Sequence, residues 1–543
     1  MLDLLIINAQ VIDGTGQPAF WGEVGIEGEK LAKVNRLPED KRQNPSEAQS
    51  RAKEVIDAQG KSVCPGFIDL HTHSDRSVLT NPDTESSLLM GVTTEIGGNC
   101  GSSVAPMSKA MAERYQKRVE ELEIDWRTLD DFFVKVQQQG LGNNHGLFVG
   151  QGSVRACVMG QETRFPTEPE IDRMAELISE SMEMGAFGLS TGRAYTPGCH
   201  AGFREIVELT RVVGEHRGLY TSHIADQWAN VHRATWEVLE IGMRTGAVPQ
   251  VAHQKVVGKD NWGRSDEVLA ILEQGQEMGV ELMADVYPYP YSAVMSLERV
   301  LPAKLRGDSA QDTLDNLHSE GAEEEIRRAF REEPTYVSSR LSHYGVVQCS
   351  EIKDYEWLDV GEVATHLGTD LAGAVHHLLC ENDLKVKIAG IMDEDDVRTI
   401  VAHPLVMIGS DSSIRSLTED LKSDEDWPTV HPRQYGTFPR VLSKYVREEH
   451  LLTLEEAVYK MTGLPAERIE LDNRGILTRG FAADLVLFDP DTISDEATVD
   501  NPCAGPEGID YVLVNGQIAA KDGEVQDVRS GKVLRDTQGR MVY

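Results

Sequence analysis

From Val63 onward the chain repeats one unit, a short apolar run followed by a longer stretch with apolar residues at helical spacing. The runs lie at 93–96, 146–149, 186–190, 220–223, 250–253, 281–286 and 406–410, after a first run that begins at Val63 and ends in His71-Thr72-His73. Between them, stretches such as 167–184 and 266–279 carry the three-to-four residue period of a helix packed on one face. Alternation repeated this often predicts a parallel α/β sheet, open or closed. The closed form explains more, because nearly every chemically interesting side chain falls at the C-terminal end of a predicted strand, the catalytic face of a (β/α)8 TIM-like barrel. Residues 63–470 are therefore expected to form such a barrel.

The two ends of the chain read differently. Residues 1–62 contain short strands separated by turn residues such as Asp13-Gly14 and Gly28-Glu29. Residues 471–543 contain two more apolar strands, Asp484-Leu485-Val486-Leu487-Phe488 and Tyr511-Val512-Leu513-Val514, and a further alternating one. Paired, the two ends would make one small β-sandwich. One segment breaks the barrel rhythm: about 292–342 is rich in charge and helix formers where a short loop would do. A long insertion on the catalytic side suggests a lid; a solvated helical excursion without a gating role is the alternative.

At 543 residues the chain exceeds what one hydrophobic core serves. Its formal charge of -36, from 53 Lys+Arg against 89 Asp+Glu, argues against nucleic acid or an anionic membrane as partner and reads as a solvated acidic surface. Seven cysteines without regular spacing do not make a disulfide framework, and Met1-Leu2-Asp3-Leu4 lacks the basic start of a signal peptide, so a reducing cytoplasm is expected. No apolar stretch is long enough to span a bilayer. Composition leaves the oligomeric state open.

His71 and His73 are the sharpest local signal. Residues at i and i+2 of a strand project to the same side, so the two imidazoles can grip one metal ion. Four more strand ends carry side chains a metal would accept: Cys100 in Gly97-Gly98-Asn99-Cys100-Gly101, His223 in Thr221-Ser222-His223, His253 in His253-Gln254-Lys255, and Asp411 in Ser410-Asp411. Singly, each is weak. In the order His-x-His, His, His, Asp they resemble the amidohydrolase superfamily, whose barrel holds one or two divalent metals at this face. Hydantoinases and dihydroorotases of that superfamily bridge two metals with a carbamylated lysine, which would have to lie between the first two histidine strands. No lysine occurs between Lys135 and Lys255, and Lys109 and Lys117 lie in a helical stretch at 107–123 that should face outward. Cys100, a soft ligand suited to zinc, is the natural substitute.

Cys100 in its Gly-Gly-Asn-Cys-Gly turn, the run Gly188-Leu189-Ser190-Thr191-Gly192-Arg193-Ala194-Tyr195-Thr196-Pro197-Gly198, His253-Gln254-Lys255, Asp285-Val286-Tyr287-Pro288-Tyr289 and His431-Pro432-Arg433-Gln434-Tyr435-Gly436 together resemble the N-acyl-D-amino-acid deacylase (D-aminoacylase) family, over essentially the whole chain. The resemblance implies a small-molecule substrate, zinc held tightly by Cys100, His223 and His253, and a second, weaker site on His71 and His73 that shares Cys100. It implies Asp411 as general base and then general acid. Lys255, two residues past His253 and so on the same side of the strand, is the first candidate for the substrate's α-carboxylate. The resemblance adds Tyr287 and Ser292 to that carboxylate and Tyr195 near the acyl carbonyl. Arg193 could select an acidic side chain or simply pair with a neighbouring carboxylate. His431 and Arg433 are expected to hold a loop over the barrel mouth and receive no chemistry. Two other readings stand beside this one: a cyclic-amide hydrolase of the hydantoinase or dihydroorotase kind, and a barrel that has lost its chemistry.

Overall fold

A computed structural model describes all residues except 39–40, 118–121, 336, 418–419, 421–428 and 537–543, so parts of the predicted 107–123 helix and of the 292–342 and 471–543 segments lie outside the described residues. Eight parallel strands form the centre: Phe67–Asp69, Val92–Gly97, Asn144–Leu147 continued at Val149–Gly150, Gly188–Gly192, Leu219–His223, Val248–Val251, Met283–Val286 and Val406–Ile408. The ladder runs in order from the fourth strand to the eighth. The first and eighth meet where Asp411 N–H donates to His71 O at 2.8 Å and Thr72 bridges Ser412, which closes the barrel. A (β/α)8 barrel is thus the observed architecture.

Local chemistry explains why the intervening segments are helical. Glu168–Glu183 starts with a capping box in which Thr167 and Glu170 satisfy each other's backbone donors, and it buries Ile171, Met174, Ile178 and Met182 at helical spacing. Inside the barrel, Ile68, Leu70, Ile96, Phe148, Phe187, Leu219, Met283 and Met407 fill the space beneath the catalytic face. Each contributes about 1.5–3 kcal/mol by leaving water, and together they make the barrel a solid support for what stands above.

Both ends of the chain enter one nine-stranded sheet. Its junction is Ser62–Pro65, which runs parallel to Leu2–Val11 on one side and antiparallel to Leu485–Phe488 on the other. Leu4, Ile6, Val24, Leu31, Leu485, Leu487 and Leu513 form its core. The chain then returns under the barrel, where Lys532 O accepts from His145 N–H at 2.9 Å and Leu534 N–H donates to His145 O at 2.8 Å.

The excursion between the seventh and eighth strands is longer than the sequence suggests. It continues past 342 to Gly390 and holds a three-stranded antiparallel sheet of Met295–Ser296, Tyr344–Cys349 and Val386–Gly390, with helices such as Ala310–Leu317, Ala322–Glu332 and Leu371–Glu381. Its two longer strands are short and apolar, the same signal a barrel strand gives, so periodicity alone cannot set its limit. Among the described residues no helix is long and apolar enough to cross a membrane.

Candidate metal centre and its cavity

The three strand ends that carry Cys100, His253 and Asp411 all turn into left-handed backbone, with φ of 51°, 34° and 52°. Such conformations cost on the order of 1–3 kcal/mol each in non-glycine residues and persist only where the surroundings fix them. At the second strand the fixing is visible. Asn99 donates to Leu70 O at 3.1 Å and Ile96 O at 3.0 Å, tying the first two strand ends together. Gly101, at φ +76°, lies so close to the fourth strand that a Cβ there would stand 2.4 Å from Gly192 N. The Gly-Gly-Asn-Cys-Gly run is a device for pushing one thiol into the barrel axis.

Cys100 Sγ is 3.4 Å from His71 Nε2, 3.6 Å from His223 Nδ1 and 3.4 Å from His253 Nε2. His223 Nδ1 and His253 Nε2 are 2.7 Å apart. On the other side of the thiol, Asp411 Oδ1 is 3.6 Å from His71 Nε2 and 3.0 Å from His73 Nε2. One donor atom from each of His71, Cys100, His253 and Asp411 lies within 4.8 Å of the others. A thiolate among imidazoles and a carboxylate, converging from different strands, is the donor set of a transition-metal ion, and the residues fit one. The lysine bridge of hydantoinases has no counterpart among the described residues, for Lys109 is 86% exposed.

The cluster's electrostatics follow from its crowding. Burial would raise the Cys100 pKa, but the imidazoles of His253 and His71 hold it well below the usual thiol value. Burial would also raise that of Asp411, and Arg433 and the neighbouring histidines overcome this and keep it well below the carboxylate range. His73 goes the opposite way: burial would lower it, yet its bond to Asp411 and the nearby Cys100 push it up to about 10. His253 is brought down to about 4 by burial and by Lys255. Without metal the thiol and carboxylate are thus ready as anionic ligands.

Above the cluster opens a cavity of about 890 Å³ whose walls include His73, Cys100, His223, His253 and Asp411. Lys255, Tyr195, Ser292 and Arg433 line it too. Lys255 is 5% exposed, and its Nζ donates to Tyr287 Oη at 2.5 Å. Tyr287 does not line the cavity; it is buried and steadies Lys255. Ser292 Oγ accepts from Gly390 N–H at 2.9 Å, leaving its own proton to donate. The Tyr195 ring sits 4.4 Å from that of His223.

Of two arginines near the cavity, one differs from expectation. Arg433 is no mere loop anchor: its Nη1 lies 2.7 Å from Asp411 Oδ2, both side chains are under 10% exposed, and its guanidinium stacks 4.7 Å over Tyr287. The residue sits far along the chain in a helix, Arg433–Arg440, outside the strand-end pattern by which the other site residues are found. Arg193 is committed elsewhere, to Glu237 at 3.1 Å and to the carbonyls of Gly198 and Ala201 at 3.2 and 2.7 Å. It follows the structural reading rather than that of an acid selector.

Residues 54–208 and 377–520 match the amidohydrolase family. The chain is 32% identical to the D-aminoacylase of Alcaligenes xylosoxydans xylosoxydans, with 98% of each covered. It is 34% identical to the N-acyl-D-glutamate deacylase of the same organism, over 98% of this chain and 96% of that one. Among solved structures, the N-acyl-D-glutamate deacylase of Bordetella bronchiseptica, complexed with zinc and a phosphonate mimic of the tetrahedral intermediate, superposes with a TM-score of 0.74 at 33% identity, covering 98% of this chain and 99% of that one. Full-length likeness of this kind, together with a cysteine at the centre of the histidine cluster, means that the chain belongs to the D-aminoacylase family of metal-dependent amidohydrolases.

Proposed function

We propose that this enzyme hydrolyses the amide bond of N-acyl-D-amino acids, releasing a carboxylate and the free D-amino acid, with zinc as its metal. The observation that carries the reading is Lys255. It is a buried ammonium that pairs with no carboxylate among the described residues, two residues beyond the ligand His253 and on the wall of the same cavity. A buried charge without a counter-ion is costly, and a substrate α-carboxylate supplies one. Ser292 and Arg433 stand on the same wall, and Tyr287 keeps the ammonium aimed.

Cys100, His223 and His253 would hold the tighter zinc, and His71 and His73, sharing Cys100, a weaker second one. Bound there, zinc would supply Lewis acidity, which lowers the pKa of water to about 7 and polarises an acyl carbonyl. Asp411, ionised and wedged between His73 and Arg433, takes the proton of the attacking water and returns it to the leaving nitrogen. Tyr195 flanks the carbonyl from the His223 side. We further read the sheet built from both chain ends as a small β-sandwich domain whose expected boundary at 62 moves to 65, because Ser62–Pro65 pairs within it. It then comprises 1–65 and 471–543, the barrel 66–470, and the excursion from 292 is a lid, since Ser292, Ala293, Met295, Val337 and Tyr344 rim the cavity. Seven unpaired cysteines support a cytoplasmic setting.

The test is a hydrolysis screen of N-acetylated D- and L-amino acids with apolar and acidic side chains, with and without added zinc. Cleavage restricted to D substrates and abolished by chelation is expected. A zinc-loaded protein that cleaves none of them refutes the assignment; cleavage of hydantoins instead would favour the cyclic-amide alternative.

A further inference from the structure

Asp285 lies on the seventh barrel strand, is fully buried, and does not line the cavity. Its Oδ1 accepts from the backbone N–H of His253 at 2.8 Å and lies 2.8 Å from His71 Nδ1, a contact short enough for an ion pair though off the line of an ideal hydrogen bond. Its Oδ2 accepts from Gln250 Nε2 at 2.8 Å. Gln250 Oε1 in turn accepts from Arg468 Nε at 3.4 Å, and Arg468 also donates to Pro249 O. A buried chain of Arg468, Gln250 and Asp285 therefore runs through the barrel wall and ends on two histidines of the metal cluster.

Space has been made for it. Gly409, just past the eighth strand, sits where a Cβ would be 2.8 Å from the Cβ of His71 and 3.3 Å from Asp285 Oδ1. Any side chain there would wedge the two partners apart. With Nδ1 beside Asp285, the His71 ring turns its other nitrogen, Nε2, toward Cys100 at 3.4 Å and Asp411 at 3.6 Å. Nothing else among the described residues contacts His71 Nδ1 with a hydrogen-bonding group.

We propose that Asp285 is a positioning residue which, held by Gln250 and Arg468, fixes the ring of His71 with Nε2 aimed into the cluster and at the same time pins the backbone turn that presents His253. One carboxylate then sets the geometry of a ligand on each side of Cys100. The inference rests on the metal reading of the cluster, and its test separates the two.

Zinc affinity is measured by equilibrium dialysis in wild type, Asp285→Asn and Gln250→Met, alongside thermal unfolding of the metal-free proteins. Histidine-selective ¹⁵N spectra of the zinc-loaded proteins, with the His71 signals assigned by their loss in His71→Gln, report which ring nitrogen carries the proton. Wild type should show His71 protonated on Nδ1. Asp285→Asn, which keeps an acceptor but loses the charge, should bind zinc about 10–100-fold more weakly, the usual cost of disturbing such a partner. Gln250→Met, which keeps the carboxylate but frees its second oxygen, should weaken zinc in the same direction by less. Unchanged zinc affinity in Asp285→Asn, whether or not thermal stability falls, would overturn the proposal. If Asp285→Asn does not fold, wild-type affinity and His71 signals in Gln250→Met overturn it equally. Absence of zinc from wild type would instead strike the metal reading itself.

Discussion

Replacing Lys255 with Met tests the carboxylate site most directly, and its size can be worked out. Lys255 is the buried cation nearest the ligand His253 in sequence, its hydrogen-bond partner is the phenol of Tyr287, and Met has the same unbranched stem without the charge. A hydrogen bond to a charged group is worth about 1.5–3 kcal/mol. At 1.4 kcal/mol per tenfold, that loss raises KM about 10- to 150-fold. Because the contact holds the substrate equally in the ground and transition states, kcat should change little. The assay pairs an N-acetyl-D-amino acid with its α-carboxamide analogue. Wild type should prefer the acid by about the same factor, and Lys255→Met should lose the preference by losing affinity for the acid alone. Stability adds a second readout: removing an ammonium that lacks a carboxylate partner should leave the melting temperature unchanged or raise it. Equal losses on both substrates, or an unaltered KM for the acid, would show that Lys255 does not meet the carboxylate.

Three further outcomes follow from the same geometry. Asp411→Asn should lower kcat by about 10²–10⁴-fold while most of the metal stays bound, as metal analysis would show; full activity would remove Asp411 from proton transfer. Cys100→Ala, which deletes the donor common to both sides of the cluster, should release the metal at micromolar free zinc, whereas retention at wild-type affinity would contradict a central thiolate. His145 is fully buried, both ring nitrogens lack a partner among the described residues, and burial holds its pKa at about 4 against an ordinary 6.5. The unfolded chain then binds the extra proton more readily, so this group leaves stability untouched above about pH 6.5 and lowers it as pH falls from there to about 4. At pH 5 the penalty is about 2 kcal/mol, and unfolding free energies from urea melts at pH 7 and pH 5 should differ by that much less in His145→Gln than in wild type.

Much of the site was legible because the barrel makes it so. A parallel strand delivers its last residue to one face, so His71, His73, Cys100, His223, His253 and Asp411 could be picked out by position along predicted strands, and the structure brings all six together. Arg433 escaped because it comes from a helix beyond the last strand, where no periodicity marks its direction. Asp285 was visible only as part of a motif; its role depends on a glycine opposite, at 409, and on partners from two other elements, which no local pattern encodes. The excursion after the seventh strand was underestimated for a similar reason, since Tyr344–Cys349 and Val386–Gly390 look like barrel strands until their antiparallel pairing is known.

The sheet that joins the two chain ends has a consequence for how the protein is made. Ser62–Pro65 receives one neighbour, Leu2–Val11, early in synthesis, but its other neighbour, Leu485–Phe488, emerges more than four hundred residues later. At about 5–20 residues per second the unpaired side waits roughly 20–80 s. Through that interval Val63 and Cys64, both fully buried in the finished sheet, flank an open row of backbone donors and acceptors that any extended chain could occupy. The nascent protein therefore depends on whatever shields that edge until its own last strands arrive.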